Sequence, residues 1–533
     1  MFKVLVSDPI AKEGITRLQA EAGNIQVDVK TGLPKEELLK IISQYDGLVV
    51  RSETKVTAEV LKAATRLKVV ARAGVGIDNV NVEIATERGV IVVNTPSGNT
   101  IAAAELAFAL MLAISRKLAL ANNTLKGGKW ERKQFVGVEL MGKTLGIVGL
   151  GRIGTEIARR AIAFGMKPLS FDPFVLPAYA EKLGIEMVSL EEIYSRSDYI
   201  TVHTPLTPET HHMIGTEAFA KMKDGVRIIN AARGGIIDED ALYEALTSGK
   251  VAAAGLDVFE QEPPPADYKL SRLDNVIVTP HLGASSEEAQ IKVAVDAAES
   301  VIAALNGELV PNAVNLPGMS KETLSELRPY MLLAEKLGRL ATALSDGILR
   351  KLEITVHGEK SPNNARLLTA ATLMGLLKDE KSDEPLNLVN AGYVAERRGL
   401  EILDSCTELE GQYSGRTISL KVQSDGNGIA NNFEGAVING EPRIVRINGF
   451  PLEVAPLGYL LVSRHNDRPG IIGKVGTLLG EYNINIASMD VGRRSRSGEA
   501  VMILSIDDLV PAEVVESLSK VDGMQNLRFV DLG

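Results

Sequence analysis

Short apolar runs alternate with helix-spaced segments over the first hundred residues. Phe2 to Val6, Ile25 to Val29, Gly47 to Arg51, Leu67 to Ala71 and Val90 to Val93 predict strands, with helices over Pro34 to Ile42 and Thr57 to Ala64 between some of them. Strand–helix alternation implies a parallel sheet covered by helices. A long helix, Thr100 to Lys117, and a Gly-Gly-Lys-Trp turn at Gly127 to Trp130 lead into a second series. Its strands are Thr144 to Val148, Lys167 to Phe171, Tyr199 to His203, Val226 to Asn230, Val251 to Leu256 and Val276 to Thr279, so a second doubly wound sheet is expected. Pro311, Pro317 and Gly318 then mark a linker, and residues 320–452 mix helical and strand patterns without a chemical motif. The last stretch reads strand (Tyr459 to Ser463), helix (Pro469 to Gly480), strand (Ile484 to Val491), turn (Ser495 to Gly498), strand (Ala500 to Ile506), helix (Pro511 to Leu518), strand (Leu527 to Val530). That order is the ferredoxin-like split βαβ pattern. Ile471, Val475, Leu478 and Leu479 recur at helical spacing, with Pro469 expected at the first helical position.

At 533 residues the chain is long enough for three or four domains. Composition narrows the partners. A net charge of −10 and an aromatic content of 4% offer neither a basic footprint nor a stacking platform, so nucleic acid is not an expected partner. Asp8 and Pro9 interrupt the amino-terminal apolar run too early for a signal peptide. The greasiest stretch, Ile101 to Ile114, is broken by Glu105 and falls short of the ~20 residues a membrane span needs. One cysteine, Cys406, suits a reducing compartment, and a cytoplasmic location is expected. Histidines and acids are not spaced as metal ligands, so no metal is expected.

The sharpest motif is a strand running into Gly149-Leu150-Gly151-Arg152-Ile153-Gly154 and then a helix, Thr155 to Phe164. In a dinucleotide fold Gly149 permits the tight turn, Gly151 lets backbone approach a pyrophosphate, and Gly154 lets the helix pack close. The helix N-terminus favours the phosphates. Asp172 lies 18 residues past Gly154 at the end of the next strand, near the ~20 expected for the acid that holds ribose hydroxyls, and its charge favours NAD over NADP.

Other polar landmarks follow strand ends, where α/β sheets collect ligand contacts: His203-Thr204-Pro205, Ala231-Ala232-Arg233-Gly234-Gly235, Asp257 to Glu262, and Pro280-His281-Leu282-Gly283-Ala284. Oxidising an alcohol beside a carboxylate needs a base for the hydroxyl proton, and histidine titrates near neutrality. His281 precedes Ser285 and Glu288, which fit a capping box. The helix start disfavours a charged imidazole; Glu262 is the available carboxylate to oppose that and fix the tautomer. Arg233 offers a fork for a substrate carboxylate, with Gly234 and Gly235 leaving room for its approach. In the first sheet, Arg51-Ser52 and Arg72-Ala73-Gly74-Val75-Gly76 also follow strand ends, where arginines suit a phosphate and backbone amides a carboxylate. His203 reads equally as a nicotinamide neighbour or a structural residue, and His211, His212 and His357 as surface or helix-start residues.

These segments, with Glu260 to Pro264, resemble the D-isomer-specific 2-hydroxyacid dehydrogenases, and the resemblance extends over essentially the whole chain to the long form with an intervening domain and an ACT domain. It implies an α/β fold of two doubly wound parallel-sheet domains, a flavodoxin-like substrate domain (1–98 and 285–315) and a Rossmann NAD domain (99–284). An α+β intervening domain (316–452) and a ferredoxin-like ACT domain (453–533) follow. The cofactor implied is NAD and the substrate D-3-phosphoglycerate, with His281 as acid/base, Glu262 as its partner and Arg233 as substrate anchor. Cofactor contacts carry over to Arg152, Ile153, Asp172, Thr204, Asp257 and His281 to Ala284. Trp130 to Lys133 is similar to a segment that reaches across a dimer interface, so Arg132 and Lys133 are expected to lend charge to a neighbouring subunit of a homo-oligomer. The resemblance further implies L-serine as effector between paired ACT domains, held by His465, Asp467 and Asn485; at Asp467 the family often has asparagine. Two other readings compete: a dehydrogenase of another D-2-hydroxy acid such as glycerate, and an NAD-sensing corepressor that needs no turnover.

Overall fold

The computed structural model describes every residue except 319–320, 379–385, 410–412, 414, 427–430 and 496–497. The first sheet has β1 (Phe2–Val6), β2 (Ile25–Val29), β3 (Gly47–Val50), β4 (Val69–Arg72) and β5 (Ile91–Val93) in the order β2-β1-β3-β4-β5, all parallel. Leu48, Val49 and Val50 are fully buried, as apolar residues must be in a sheet covered on both faces. The order reverses between β1 and β3, which opens a crevice at their carboxyl ends.

The second sheet comprises β6 (Thr144–Val148), β7 (Lys167–Phe171), β8 (Glu186–Met187), β9 (Tyr199–Val202), β10 (Val226–Asn230), β11 (Val251–Leu256) and β12 (Val276–Val278), ordered β12-β11-β10-β9-β6-β7-β8. Its reversal lies between β6 and β9. The edge strand β8 pairs through only two residues, too few to leave a periodic signal in the sequence. Helix Thr100–Ser115 packs under this sheet through Ala107, Leu110, Met111 and Ile114. Helix Glu287–Leu305 returns to the first sheet and buries Val293, Ala297, Ala298 and Val301 against Val4, Val6 and Val49. Ser286, rather than Ser285, caps that helix by accepting from the Ala289 N–H at 3.2 Å, so the expected Ser285–Glu288 box is not formed. The chain thus crosses twice between the two sheets, and their carboxyl ends face one cleft.

Beyond the linker, helices Lys321–Leu344 and Pro362–Leu377 cross backbone to backbone, since a Cβ on Gly375 would lie 1.8 Å from the Glu335 carbonyl oxygen. They cover a mixed sheet ordered β14-β13-β15-β16-β17-β18, made of β13 (Leu349–His357), β14 (Glu401–Thr407), β15 (Thr417–Ser424), β16 (Asn431–Ile438), β17 (Glu441–Ile447) and β18 (Phe450–Val454). His357 therefore ends a strand, where its Nε2 meets Ser419 Oγ at 3.2 Å. The last sheet is antiparallel, ordered β20-β21-β19-β22, with β19 (Tyr459–Asn466), β20 (Ile486–Arg493), β21 (Glu499–Ile506) and β22 (Met524–Asp531). Helices Ile471–Glu481 and Ala512–Ser519 complete the ferredoxin-like pattern; Arg496 and Ser497 of the expected turn lie outside the described residues. Pro469 stands before the helix rather than at its first position, because Gly470 turns the chain at φ +97°. One apolar core runs through both carboxyl-terminal sheets, joining Leu337, Ile354, Phe433 and Val454 to Leu460, Val462, Val501 and Val530.

Candidate active site

The second sheet builds a dinucleotide cradle at its reversal. Gly149 takes φ +99°, open to glycine at low cost, and a Cβ on Gly154 would sit 2.1 Å from the Gly149 carbonyl oxygen. By contrast, a Cβ on Gly151 would meet nothing within 4 Å, so this position faces open space ahead of helix Arg152–Ala163. Arg152 and Ile153 open that helix. Asp172, just past β7, accepts the Leu150 N–H at 2.8 Å and thereby ties its carboxylate to the glycine turn. On the neighbouring strand end, His203 Nε2 meets Thr201 Oγ1 at 2.7 Å, while His203 Nδ1 and Thr204 Oγ1 are buried without a partner. Burial pushes the His203 imidazole down to about 3, so its ring is neutral. Unpaired buried polar atoms are costly; two of them beside an open glycine cradle fit a ligand with hydrogen-bonding groups such as NAD.

The loops after β10 and β11 are tied down by buried polar side chains. Asn230 accepts the Ala232 N–H at 3.0 Å and donates to the Arg233 carbonyl at 2.9 Å, which fixes Ala231, Ala232 and Arg233 as one turn. Gly234 and Gly235 do not serve as space for substrate: a Cβ on Gly234 would lie 1.8 Å from the Phe259 carbonyl oxygen, and Gly235 turns the chain at φ +80°. Asp257 is fully buried and accepts from Thr279 Oγ1 (2.6 Å), the Leu282 N–H (2.7 Å) and the Gly283 N–H (2.9 Å). It is the anchor of the His281 to Ala284 loop, although burial pushes its carboxyl above the usual range.

His281 stands in that loop at φ +54°. Its Nδ1 lies 2.7 Å from Glu262 Oε2, and Glu262 Oε1 accepts the Phe259 N–H at 3.1 Å. Burial raises the Glu262 carboxyl, but the hydrogen bond and charge of His281 outweigh it and hold the group below the usual carboxylate range. An ionised Glu262 fixes Nδ1 as the donor, which leaves Nε2 with the lone pair facing away from it.

Across the cleft the first sheet presents cations. Arg72 is half-buried; its guanidinium is pushed down to about 10 by desolvation first, then by the charges of Arg233 and Arg51. Arg51, Arg72 and Arg233 therefore form one electropositive cluster drawn from both sheets. Ser52 is exposed beside it, and Gly74 takes φ +158° in the turn with Val75 and Gly76. Two supports of this wall are not evident from the motifs. Asp8, after β1, is buried and accepts the N–H groups of Arg51 (2.6 Å) and Thr54 (3.0 Å). Asn79 donates to the Arg51 (2.8 Å) and Thr54 (2.7 Å) carbonyls. The placement of Asp8 at the end of the switch-point strand was the signal that could have found it.

Two expected groups are not assembled within one chain. Arg132 and Lys133 lie exposed on a short 3-10 turn, Arg132–Phe135, beside the exposed Trp130 and Val136. In the last domain His465 is buried on β19 rather than in the helix-opening loop, because that strand runs on to Asn466. Asp467 pairs with Arg493 at 3.1 Å, whereas Asn485 donates to Asp507 at 2.7 Å. The register sets Arg493 opposite Ala500 and Ile486 opposite Ile506, so Asp467 and Asn485 occupy opposite ends of the sheet.

The comparisons with known proteins agree with this geometry. Residues 108–283 match the family model "D-isomer specific 2-hydroxyacid dehydrogenase, NAD binding domain", residues 326–448 the "D-3-phosphoglycerate dehydrogenase intervening domain", and residues 458–523 the "ACT domain". The chain belongs to the D-isomer-specific 2-hydroxyacid dehydrogenase family, in the long form that carries an intervening and an ACT domain, and is an NAD-dependent dehydrogenase. It is 47% identical over its whole length and that of its relative to the D-3-phosphoglycerate dehydrogenase of Methanocaldococcus jannaschii. It is 44% identical, again over both full lengths, to the Bacillus subtilis enzyme of the same name. Among solved structures, the D-lactate dehydrogenase of Aquifex aeolicus complexed with NAD and lactic acid is similar at 31% identity and TM-score 0.52, covering 57% of this chain and 96% of that one. A glyoxylate reductase from Paecilomyes thermophila is similar at 32% identity and TM-score 0.55, covering 59% and 98%.

Proposed function

We propose that the protein oxidises D-3-phosphoglycerate to 3-phosphohydroxypyruvate, the reaction that opens L-serine synthesis. The observation that carries this reading is the cluster of Arg51, Arg72 and Arg233 across the cleft from the His281–Glu262 pair: a carboxylate and a phosphate on one small molecule match this cationic cluster, whereas lactate or glycerate brings a single anionic group to it. The names of the full-length relatives support the same substrate.

In this mechanism Arg233 and the turn Gly74 to Gly76 receive the substrate carboxylate, and Arg51 and Arg72 the phosphate. The cradle of Gly149 to Gly154, Asp172, His203 and Thr204 holds NAD, which supplies the hydride acceptor for the carbon that bears the hydroxyl. His281 Nε2 takes the hydroxyl proton as the hydride leaves, and Glu262 stabilises the imidazolium through Nδ1–H. For the homo-oligomer, exposed Trp130, Val136 and Met141 offer apolar surface to a second copy, which brings Arg132 and Lys133 into play. For L-serine at His465, Asp467 and Asn485, the separation of Asp467 from Asn485 argues that the grip is shared between two ACT domains. The domain limits that fit are 1–98 with 285–315, 99–284, 316–452 and 453–533.

The test is NADH oxidation with 3-phosphohydroxypyruvate, with hydroxypyruvate as the unphosphorylated control and L-serine as a titrant. Turnover that depends on the phosphate and falls with serine is the expected result. Equal turnover of both substrates would move the reading to a general 2-hydroxy acid, and no turnover to a sensor.

A further inference from the structure

We propose that Asp78 is a positioning residue that aims Arg233 at the substrate from the opposite wall of the cleft. This rests on the reading of the cleft as the place where a 2-hydroxy acid carboxylate is received. Asp78 Oδ2 lies 3.2 Å from Arg233 Nε, so the pair joins the loop after β4 to the loop after β10 and spans the two sheets. Arg233 Nη1 donates to the neighbouring Ala232 carbonyl at 2.6 Å. The ion pair at Nε and the hydrogen bond at Nη1 hold the guanidinium from two sides, and Nη2 lies over the amide turn. A Cβ on Gly76 would be 1.9 Å from Nη2 and 2.7 Å from Asp78 Oδ2, so the glycine at this position is what lets the three groups meet.

Asp78 is two-thirds exposed, and an exposed carboxylate is ordinarily a weak partner. What distinguishes this one is its backbone. Asn79, the next residue, is buried and bonds to two carbonyls of the Arg51 to Thr54 loop, and Val80 bridges to Val56. The carboxylate is therefore presented from a fixed loop, with little conformational freedom left to lose when the pair forms. Its charge also acts on Arg72, where it opposes the repulsion from Arg233. Without Asp78 the two guanidiniums would face each other with less compensation, and the Arg233 side chain would be held through Nη1 alone.

Positioning and mere charge predict opposite signs. A bystander carboxylate in a cationic pocket weakens anion binding, so its removal would lower KM. A carboxylate that aims Arg233 strengthens anion binding, so its removal raises KM. Asp78→Ala is expected to raise KM for 3-phosphohydroxypyruvate by ~10-fold or more with kcat changed less than ~3-fold. Asp78→Glu keeps the carboxylate charge beside Nε, and is expected to retain most of the affinity, within roughly 3-fold of the native enzyme, whereas Asp78→Asn, which keeps the shape and loses the charge, is expected to fall with Asp78→Ala. The same variants are titrated with oxalate on the NADH complex, followed by NADH fluorescence, with NADH affinity as the control. A matching ~10-fold loss of oxalate affinity in Asp78→Ala, with NADH binding unchanged, is the supporting result. An unchanged or lower KM together with unchanged or tighter oxalate binding in Asp78→Ala overturns the proposal. If the native enzyme does not turn over 3-phosphohydroxypyruvate, the assigned substrate fails, and the oxalate series still decides the role of Asp78.

Discussion

At the scale of single residues the site separates chemistry from support. The proton transfer proposed for His281 requires an aimed ring, and the ring is held by Glu262 on one side and by Asp257, which pins the following amides, on the other. His281→Ala is expected to cut kcat by about 10³-fold or more, the scale of a lost general base, while NADH titration shows nearly native affinity. Glu262 lies below the usual carboxylate range in the folded state. As a depressed acid, it contributes stability that is present above its unfolded value and lost as pH falls through the folded one. Arg72 runs the other way. Its depressed guanidinium means that the charge, without a bound anion, costs stability at neutral pH, where both folded and unfolded states are protonated. Arg72→Gln is therefore expected to leave the unfolding midpoint of the ligand-free protein equal or higher, and to raise KM for the phosphorylated substrate by roughly 100-fold. A lower midpoint in calorimetry would show instead that Arg72 is structural.

At the scale of elements the glycine turn after β6 offers a matched pair. A methyl at Gly151 meets open space, whereas a methyl at Gly154 meets the Gly149 carbonyl. Gly151→Ala is expected to fold with a native circular dichroism spectrum and an unfolding midpoint within a few degrees of native, yet bind NADH at least ~10-fold more weakly, because the added carbon occupies the path of the pyrophosphate. Gly154→Ala is expected to lose both stability and NADH binding. Equal affinities of Gly151→Ala and native protein would place the pyrophosphate elsewhere.

At the scale of the whole molecule the two halves are joined unequally. The catalytic half meets the carboxyl-terminal half through the linker and a small contact in which Asn387 Nδ2 donates to the Gly89 carbonyl at 2.7 Å. Inside the carboxyl-terminal half the two sheets share one core, and Arg339 and Lys336 of the long helix both donate to the Leu532 carbonyl. Truncation after residue 317 is thus expected to leave a soluble protein that binds NADH, because few contacts tie this half to the rest. Truncation after residue 452 is expected to give a protein that aggregates, since it bares the partners of Leu460, Val462 and Val530. Sedimentation of the two products checks both.

The division between what was legible in the chain and what was not follows from the range of each interaction. Local periodicity and strand-end chemistry are short-range, so the two parallel sheets, the Gly149 to Gly154 turn, and the pairing of His281 with Glu262 could be read from the sequence alone. The boundaries that went astray, Ser286 in place of Ser285 and the late start of the helix at Ile471, turn on one residue of backbone geometry that periodicity does not resolve. The supports of the site needed the fold. Asp8, Asn79, Asn230 and Asp78 act on residues that are distant in sequence or on backbone groups whose direction only a turn defines. The separation of Asp467 and Asn485 is likewise a matter of strand register. A sequence carries the identity of each charge, but which charges meet is decided when the sheets bring their carboxyl ends to one cleft.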